Sequence, residues 1–205
     1  EGAHIDKNSK INIDGNIICD ISEVGLLGPH NLENICAAVS AAWRYTQDIN
    51  AIKNAVTNFR GLPHRLEFVR ELDGVKYYDD SYSPNPASTR AAVSSFDQPT
   101  VLIAGGFDRK ADFSELAQVI AKKEVKKVVL IGQTAETIAA ALNNAGYNNY
   151  EILKSKDFKA IIQKAQSYTS EGDVVLLSPG CPSFDMFKNF EERGKQYQKI
   201  VGELK

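Results

Sequence analysis

Three short polar segments of this sequence carry side chains that can do chemistry, and each follows a predicted strand. They are residues 79–85, 105–110 and 178–183, which read DDSYSPN, GGFDRK and SPGCPS. In open parallel sheets, ligands bind beyond the carboxyl ends of the strands, where loops present backbone and side-chain donors. We therefore expect the three segments to converge on one crevice that forms the binding site.

The middle segment combines paired glycines with two basic side chains. Gly105 and Gly106 allow the backbone to come close to a ligand, and a basic side chain after them could bind a carboxylate or a phosphate. Of Arg109 and Lys110, the arginine is favoured if two parallel hydrogen bonds are needed. On this segment alone, a glycine turn followed by a solvated basic pair is an equally good interpretation.

The other two segments offer hydroxyls and carboxylates. Ser178 and Ser183 lie outside a Gly-x-Ser-x-Gly elbow, so we expect hydrogen bonding to a ligand rather than covalent catalysis. Asp79 and Asp80 are adjacent and would face opposite sides of a strand, so one is expected to point at the crevice while the other is solvated or caps a turn. The three histidines have no metal-ligand spacing, and we predict neither a metal site nor a catalytic residue within this chain.

Strands should position these segments. Asp14-Gly15 and Asp73-Gly74 are typical of tight hairpin turns, and they predict hairpins over residues 10–19 and 65–78. Apolar runs without polar alternation predict parallel strands that are covered on both faces. These runs are residues 101–104, 128–131 and 174–177, with a weaker, peripheral strand at 151–153.

Apolar residues at helical spacing predict the helices. Two helices are expected early in the chain, one after a cap at Asn31 and one after a cap at Asp48. Their apolar faces would be Leu32, Ile35, Val39 and Trp43, then Ile49, Ile52, Val56 and Phe59. Later helices are expected to start at Asn85, Asp112, Thr134 and Asp157, with a stop at Gly146 and a last apolar stripe of Phe187, Phe190, Tyr197, Val201 and Leu204.

The hydrophobic period changes near residues 61–63, where we place a domain boundary. Residues 1–61 have a thin core and read as the end of a larger domain. Residues 62–205 predict a doubly wound α/β fold with a mostly parallel, Rossmann-like sheet. The one methionine is Met186 and the chain opens on Glu1, so we expect a processed product or a piece of a longer protein.

Composition narrows the class of partner. The formal net charge is -2, with both signs mixed along 205 residues, which argues against nucleic-acid and membrane partners. The cysteines at positions 19, 36 and 181 lack metal or redox spacing, as expected of free thiols in the cytoplasm. Gly194-Lys195 lacks the upstream glycine of a phosphate loop, so the chain has no evident cradle for a triphosphate.

Four motifs together resemble the Mur ligase family of ATP-dependent, amide-forming enzymes across essentially the whole chain. They are residues 28–34 (GPHNLEN), residues 61–67 (GLPHRLE), Asp80-Ser81, and residues 176–194 (LLSPGCPSFDMFKNFEERG). The last motif is particular to the members that add D-glutamate. The resemblance implies a three-domain, monomeric enzyme in which residues 1–61 end the ATP-binding central domain and residues 62–205 form the domain that binds the amino acid.

The resemblance also implies the chemistry. ATP would phosphorylate the carboxylate of UDP-N-acetylmuramoyl-L-alanine, and the amino group of D-glutamate would attack the acyl phosphate to make a peptidoglycan precursor. Such catalysis depends on positioning and on neutralising the charge that develops. ATP and Mg²⁺ would be held mainly by a part of the central domain outside this chain, so we expect the isolated chain to be inactive.

Site residues follow from the resemblance position by position. The residues implied to contact the nucleotide are Asn31, Asn34, His64, Arg65, Asp80 and Ser81. The residues implied to bind D-glutamate are Arg109, Ser183, Phe184 and Phe190, with Arg109 at a position where the family commonly has lysine. This chain departs from the family pattern at Tyr82 and Pro84, where the family has a lysine and a threonine. A hydroxyl of Ser83 or Tyr82 could substitute for the lost contacts.

Two other functions stay open at this point. A different amide ligase of the same family, including one acting on folate, would keep the His30 and Arg65 motifs but line the region of Ser183 differently. A non-catalytic α/β module that binds a nucleotide or a protein is the second alternative.

Overall fold

The computed structural model describes residues 2–123 and 125–205. The chain forms two compact units, Glu1–Gly61 and Leu62–Lys205. Within the described residues, every helix is too short or too polar to cross a membrane.

The first unit pairs a small antiparallel sheet with two helices. Its strands are β1 (His4–Ile5), β2 (Lys10–Ile13) and β3 (Asn16–Asp20), in the order β1-β2-β3. A short 3-10 turn, Ile21–Glu23, leads to α1 (Pro29–Trp43) and α2 (Ile49–Asn58). The predicted hairpin is confirmed: Asp14 and Gly15 have φ of 46° and 76°, which a two-residue turn between twisted strands requires.

Two details of these helices differ from the prediction. The cap at Asn31 was wrong, because α1 begins at Pro29, whose fixed φ suits a first helical position, and the Asn31 amide donates to Leu27 O at 2.7 Å. Phe59 lies beyond the end of α2 and is 47% exposed, so it is not part of the buried face. Asp48 caps α2 as predicted, accepting from Ala51 N at 3.0 Å.

The second unit is an α/β fold, as predicted. Its strands are β4 (Glu67–Leu72), β5 (Val75–Asp79), β6 (Thr100–Gly105), β7 (Lys127–Ile131), β8 (Tyr150–Ile152) and β9 (Val174–Leu177). Its helices are α3 (Pro86–Ser94), α4 (Ser114–Lys122), α5 (Ala135–Asn144), α6 (Phe158–Gln166) and α7 (Phe190–Glu203). Within the described residues, the sheet has the order β4-β5-β9-β6-β7-β8, antiparallel at β4 and parallel elsewhere.

Burial of the strands explains their composition. All residues of β6 and β9 are buried, as expected of parallel strands covered on both faces, whereas the edge strand β8 is half-buried. Asp73 and Gly74, with φ of 51° and 74°, join β4 to β5 as predicted. The first strand of this hairpin begins at Glu67, two residues later than the prediction.

Helices cover both faces of the sheet. Alternate strand residues, among them Ile103, Val129 and Leu177, pack in one core with residues of α6 and α7. Helix α4 contacts α3 and α5 in a second helical layer. The connection from β6 runs outward to β7, whereas β9 leads into α7, which contacts β4 and β5. Loops after β6 and β9 therefore leave the sheet in opposite directions, which opens a crevice at its carboxyl edge.

The helix starts were predicted with mixed success. Asn85 and Asp157 accept backbone N–H groups of α3 and α6, as N-caps do. Helix α4 instead begins at Ser114, so Phe113 rather than Asp112 occupies the N-cap position. The Asp112 carboxylate accepts from Ser114 N. Thr134 precedes α5 without capping it through its side chain, and Phe187 lies before α7, which Asn189 caps. Gly146, with φ of 79°, follows α5 as expected.

Candidate active-site crevice

The structure brings the three polar segments together at the carboxyl edge of the second unit. Gly105 N donates to Pro179 O at 2.8 Å, and Phe107 N donates to Pro182 O at 2.9 Å. Ser178 Oγ donates to Asp80 Oδ2 at 2.6 Å. We call this region, formed by residues 79–85, 105–110 and 178–183, the loop crevice.

Close backbone approach explains the paired glycines of the loop crevice. Gly105 has φ of 111°, and a Cβ there would lie 2.0 Å from Ile131 O. A Cβ on Gly106 would lie 2.5 Å from Pro182 O. Gly105 can therefore lie against the end of β7, and Gly106 against the loop after β9, only because both positions lack a side chain.

A buried guanidinium ties two of the segments to α7. Arg193 is 2% exposed; its Nε donates to Ser81 Oγ and its Nη2 to Ser81 O, both at 2.9 Å. Its Nη1 and Nη2 also donate to Cys181 O at 3.3 and 3.2 Å. Burial lowers the pKa of Arg193 to about 10, so the side chain stays charged at neutral pH. Sequence analysis did not identify Arg193, although its helical spacing from Phe190 and Tyr197 places it on their face of α7.

Both aspartates at the end of β5 are buried, so the solvated alternative of the prediction is wrong, whereas the other alternative holds, since Asp79 caps a turn through Ser81 N. Asp79 is fully buried and accepts from Ser81 N at 2.9 Å and from His64 Nδ1 at 2.7 Å. Asp80 is 2% exposed and accepts from Ser178 Oγ, from Ser83 Oγ and, at 3.2 Å, from Leu66 N. The strict alternation assumed in the prediction ends with β5 at Asp79, so the next side chain turns inward as well.

Burial raises the pKa of the Asp80 carboxyl to about 6, although its three hydrogen-bond donors lower the pKa in part. A carboxyl whose pKa is raised on folding favours the folded state below its unfolded pKa, near 4, and this contribution is lost as the pH rises through 6. We therefore expect the wild-type chain to lose about 2 kcal/mol of stability relative to Asp80→Asn between pH 4 and pH 7.

Urea unfolding of both proteins across this pH range measures the difference. Asp97→Asn is the matched control, because the Asp97 side chain is 98% exposed and should show a flat difference from wild type. Parallel pH profiles for Asp80→Asn and wild type would contradict the raised pKa.

Of the residues implied to bind D-glutamate, Arg109 and Phe184 are in contact at the mouth of the loop crevice. The exposed Arg109 guanidinium lies 5.9 Å from the centroid of the Phe184 ring, which is itself 56% exposed. Ser183 is buried, and its carbonyl accepts from the N–H groups of Met186 and Phe187. Phe190 opens α7, and its carbonyl accepts from Ser81 Oγ at 2.8 Å.

In the second unit, the residues implied to contact the nucleotide differ in exposure to solvent. The Arg65 guanidinium is exposed and lies 5.5 Å from the centroid of the Tyr82 ring. Tyr82 lies 4.6 Å from Phe190, centroid to centroid. His64 and Ser81 are buried and bind protein atoms, which suits a positioning role better than direct contact.

In the first unit, Asn31 and Asn34 lie in the first turns of α1. Asn34 is exposed, and its Nδ2 lies 3.5 Å from Asn31 Oδ1. Nucleotide contact by these residues and by those of the second unit stays a prediction.

One group of described side chains has the composition of a metal site: His64, Glu67 and Asp79. Gln198 Nε2 donates to Glu67 Oε2 at 2.9 Å and to Asp79 Oδ2 at 2.8 Å, and His64 Nδ1 contacts the same Asp79 oxygen. Mg²⁺ needs near-octahedral oxygen ligands and usually retains several waters. This hydrogen-bonded cluster does not fit Mg²⁺, and we assign no step to the ion here.

Cys181 is an unsuitable nucleophile despite its place in the loop crevice. It is 2% exposed, and burial raises the pKa of its thiol to about 11. Its Sγ lies 3.2 Å from Thr134 Oγ1.

Comparison with protein families gives a match over more than half of the chain. Residues 64–181 match the family described as Mur ligase, glutamate ligase domain. UDP-N-acetylmuramoylalanine--D-glutamate ligase of Thermoanaerobacter sp. (strain X514) is 43% identical over the whole chain and 45% of its own length. The enzyme of that name from Clostridioides difficile (strain 630) is 42% identical, again over the whole chain and 45% of its length. The chain thus spans less than half the length of these relatives.

Solved structures share the fold at low sequence identity. MurF from Acinetobacter baumannii gives a TM-score of 0.68 at 18% identity, over 98% of this chain and 44% of that one. Mycobacterium tuberculosis folylpolyglutamate synthase complexed with ADP gives 0.65 at 17% identity, over 97% of this chain and 46% of that one.

Proposed function

The chain belongs to the Mur ligase family, and from that premise we propose that it is the C-terminal part of an ATP-dependent ligase that joins D-glutamate to UDP-N-acetylmuramoyl-L-alanine. Relatives that carry this activity in their name are 42–43% identical over the whole chain. The observation that carries the proposal is the mouth of the loop crevice, where the Arg109 guanidinium lies against Phe184, next to Ser183. These residues belong to two loops that backbone hydrogen bonds hold together.

In this proposal the two compact units have separate assignments. Glu1–Gly61 is the end of the ATP-binding central domain, and Leu62–Lys205 is the domain that binds the amino acid. ATP supplies the phosphoryl group that activates the carboxylate of the UDP-linked substrate. Because the chain spans 45% of its relatives, we propose that the isolated chain binds parts of the substrates without catalysing the ligation.

The residues of this chain would act by binding and orientation. Arg109 provides a fixed cationic fork for a carboxylate of D-glutamate, which leaves the amino group free to attack the acyl phosphate. The exposed Arg65 guanidinium, against Tyr82, provides positive charge for the nucleotide phosphates. Asp80 and His64 hold the backbone around Arg65, since Asp80 accepts from Leu66 N and the His64 carbonyl accepts from Tyr82 N.

Arg109→Ala in the full-length enzyme tests the proposal. Losing hydrogen bonds to a charged ligand costs about 1.5–3 kcal/mol, so kcat/KM for D-glutamate should fall about 10- to 100-fold while the KM for ATP stays unchanged. Phosphate release with each substrate varied in turn measures both quantities. Lys159→Ala removes a charge from the exposed face of α6 and serves as the matched control.

The same assay separates the proposal from its alternatives. Wild-type enzyme should release phosphate with D-glutamate and much less with L-glutamate or L-alanine. A preference for another amino acid would identify a different ligase of the family, and no amino-acid-dependent turnover would favour a binding module. Unchanged D-glutamate kinetics in Arg109→Ala would remove that residue from the site.

A further inference from the structure

Residues 132–134, which follow β7, contact both loops that carry the proposed D-glutamate residues. Thr134 is 1% exposed, its Oγ1 accepts from Gly106 N at 3.0 Å, and its N–H donates to Gly106 O at 3.1 Å. The same Oγ1 lies 3.2 Å from Cys181 Sγ. This buried threonine therefore joins the loop after β6 to the loop after β9.

Gln133 makes a second bridge nearer to solvent. Its backbone N–H donates to Asp185 Oδ2 at 3.2 Å, and its side-chain Oε1 accepts from Asp108 N at 3.1 Å. In the sequence, Asp108 immediately precedes Arg109 and Asp185 immediately follows Phe184. Gln133 is thus bonded to the neighbour of each of the two side chains that meet at the mouth of the loop crevice.

The loop around Arg109 is fastened on both sides of that residue. Phe107 N donates to Pro182 O at 2.9 Å, and Lys110 N donates to Asp108 Oδ1 at 2.6 Å. The exposed Arg109 side chain itself contacts the Phe184 ring. Its direction therefore depends on how its backbone is held, and the Gln133 side chain holds that backbone from the β7 side.

We propose that Gln133 is a positioning residue for D-glutamate, which sets the spacing of Arg109 and Phe184 without touching the substrate; this rests on the proposed function. A carboxylate fork must be aligned to within a fraction of an ångström to keep its two bonds. Releasing Asp108 N would let the Arg109 backbone swing away from Phe184. The nucleotide contacts proposed at Arg65 lie on another segment and should not respond.

Two substitutions separate the hydrogen bond from the shape of the side chain. Gln133→Met in the full-length enzyme keeps the length but has no oxygen acceptor, so the KM for D-glutamate should rise about three- to ten-fold, the range for one lost hydrogen bond. The KM for ATP and the unfolding midpoint should match wild type. Gln133→Glu retains an acceptor for Asp108 N, so its KM for D-glutamate should stay close to that of wild type. Thr137→Ala, exposed on α5, is the control.

A double-mutant cycle shows whether Gln133 acts through Arg109. In an Arg109→Ala background, Gln133→Met should cause no further loss, because the group it positions is gone. Additive losses, a lowered unfolding midpoint, or equal changes in both KM values would overturn the proposal. If wild type shows no D-glutamate-dependent phosphate release, the proposed function itself fails; if wild type is active and Gln133→Met equals it, only this inference fails.

Discussion

Replacing Arg193 by methionine is expected to lower the free energy of unfolding by about 3 kcal/mol, because it leaves several buried oxygens without donors. The guanidinium supplies hydrogen bonds to Ser81 Oγ, Ser81 O and Cys181 O. Each buried acceptor that loses its partner costs about 1–3 kcal/mol. Methionine matches the length of the arginine stem but offers no donor.

An opposing effect limits the expected loss. Burial lowers the pKa of Arg193, which shows that the fold bears a desolvation cost for the charge, and methionine removes that cost. We expect the unmatched oxygens to dominate, since three acceptors lose donors while a single charge is relieved. The free energy of unfolding of Arg193→Lys should fall between those of wild type and Arg193→Met. An ammonium keeps the charge but cannot reproduce the planar guanidinium that reaches both segments.

Urea unfolding followed by circular dichroism measures these differences. Lys195→Met is the matched control, since Lys195 is exposed on the same helix and its loss should change stability by less than about 0.5 kcal/mol. A stability of Arg193→Met equal to that of wild type would show that the loop crevice holds together without this residue. A loss of stability in Arg193→Met but not in Lys195→Met would show that the Arg193 hydrogen bonds hold α7 to the loops.

Local sequence signals predicted the scaffold well for identifiable reasons. The two Asp-Gly hairpins required only that consecutive residues accept positive φ, and the buried strands required only apolar runs bounded by turns. Helix starts at Asn85 and Asp157 were equally local, because an N-cap bonds its own first turn. These features depend on neighbours in sequence, which a single chain reveals.

Features that depend on distant partners were missed. Arg193 bonds Ser81 across 112 positions, and Thr134 bonds Gly106 across 28, so the sequence did not show why a charged residue and a non-capping threonine occupy those places. The inward turn of Asp80 likewise depends on Ser178, 98 positions away. The binding roles of Arg109, Ser183 and Asp80 came from resemblance and stay predictions.

A second large effect is expected from Gly105→Ala, which should destabilise the chain by about 4 kcal/mol. Gly105 pairs with Ile131 in the β6–β7 ladder, and a Cβ would lie 2.0 Å from Ile131 O. A backbone carbonyl in a central ladder cannot rotate away as a flexible side chain can. Displacing it costs about 1–3 kcal/mol, and a non-glycine residue at φ of 111° adds about 1–3 kcal/mol of strain.

Gly146→Ala separates the two contributions. Gly146 also has a positive φ, 79°, but nothing lies within 4 Å of the position of its Cβ, so this variant should show strain alone, about 1 kcal/mol. The difference between the two variants, about 3 kcal/mol by urea unfolding, measures the steric clash in the ladder. Equal losses would mean that β6 and β7 adjust freely at this point. A large difference would mean that the glycine at the carboxyl end of β6 fixes where the next loop begins, and therefore where Arg109 can lie.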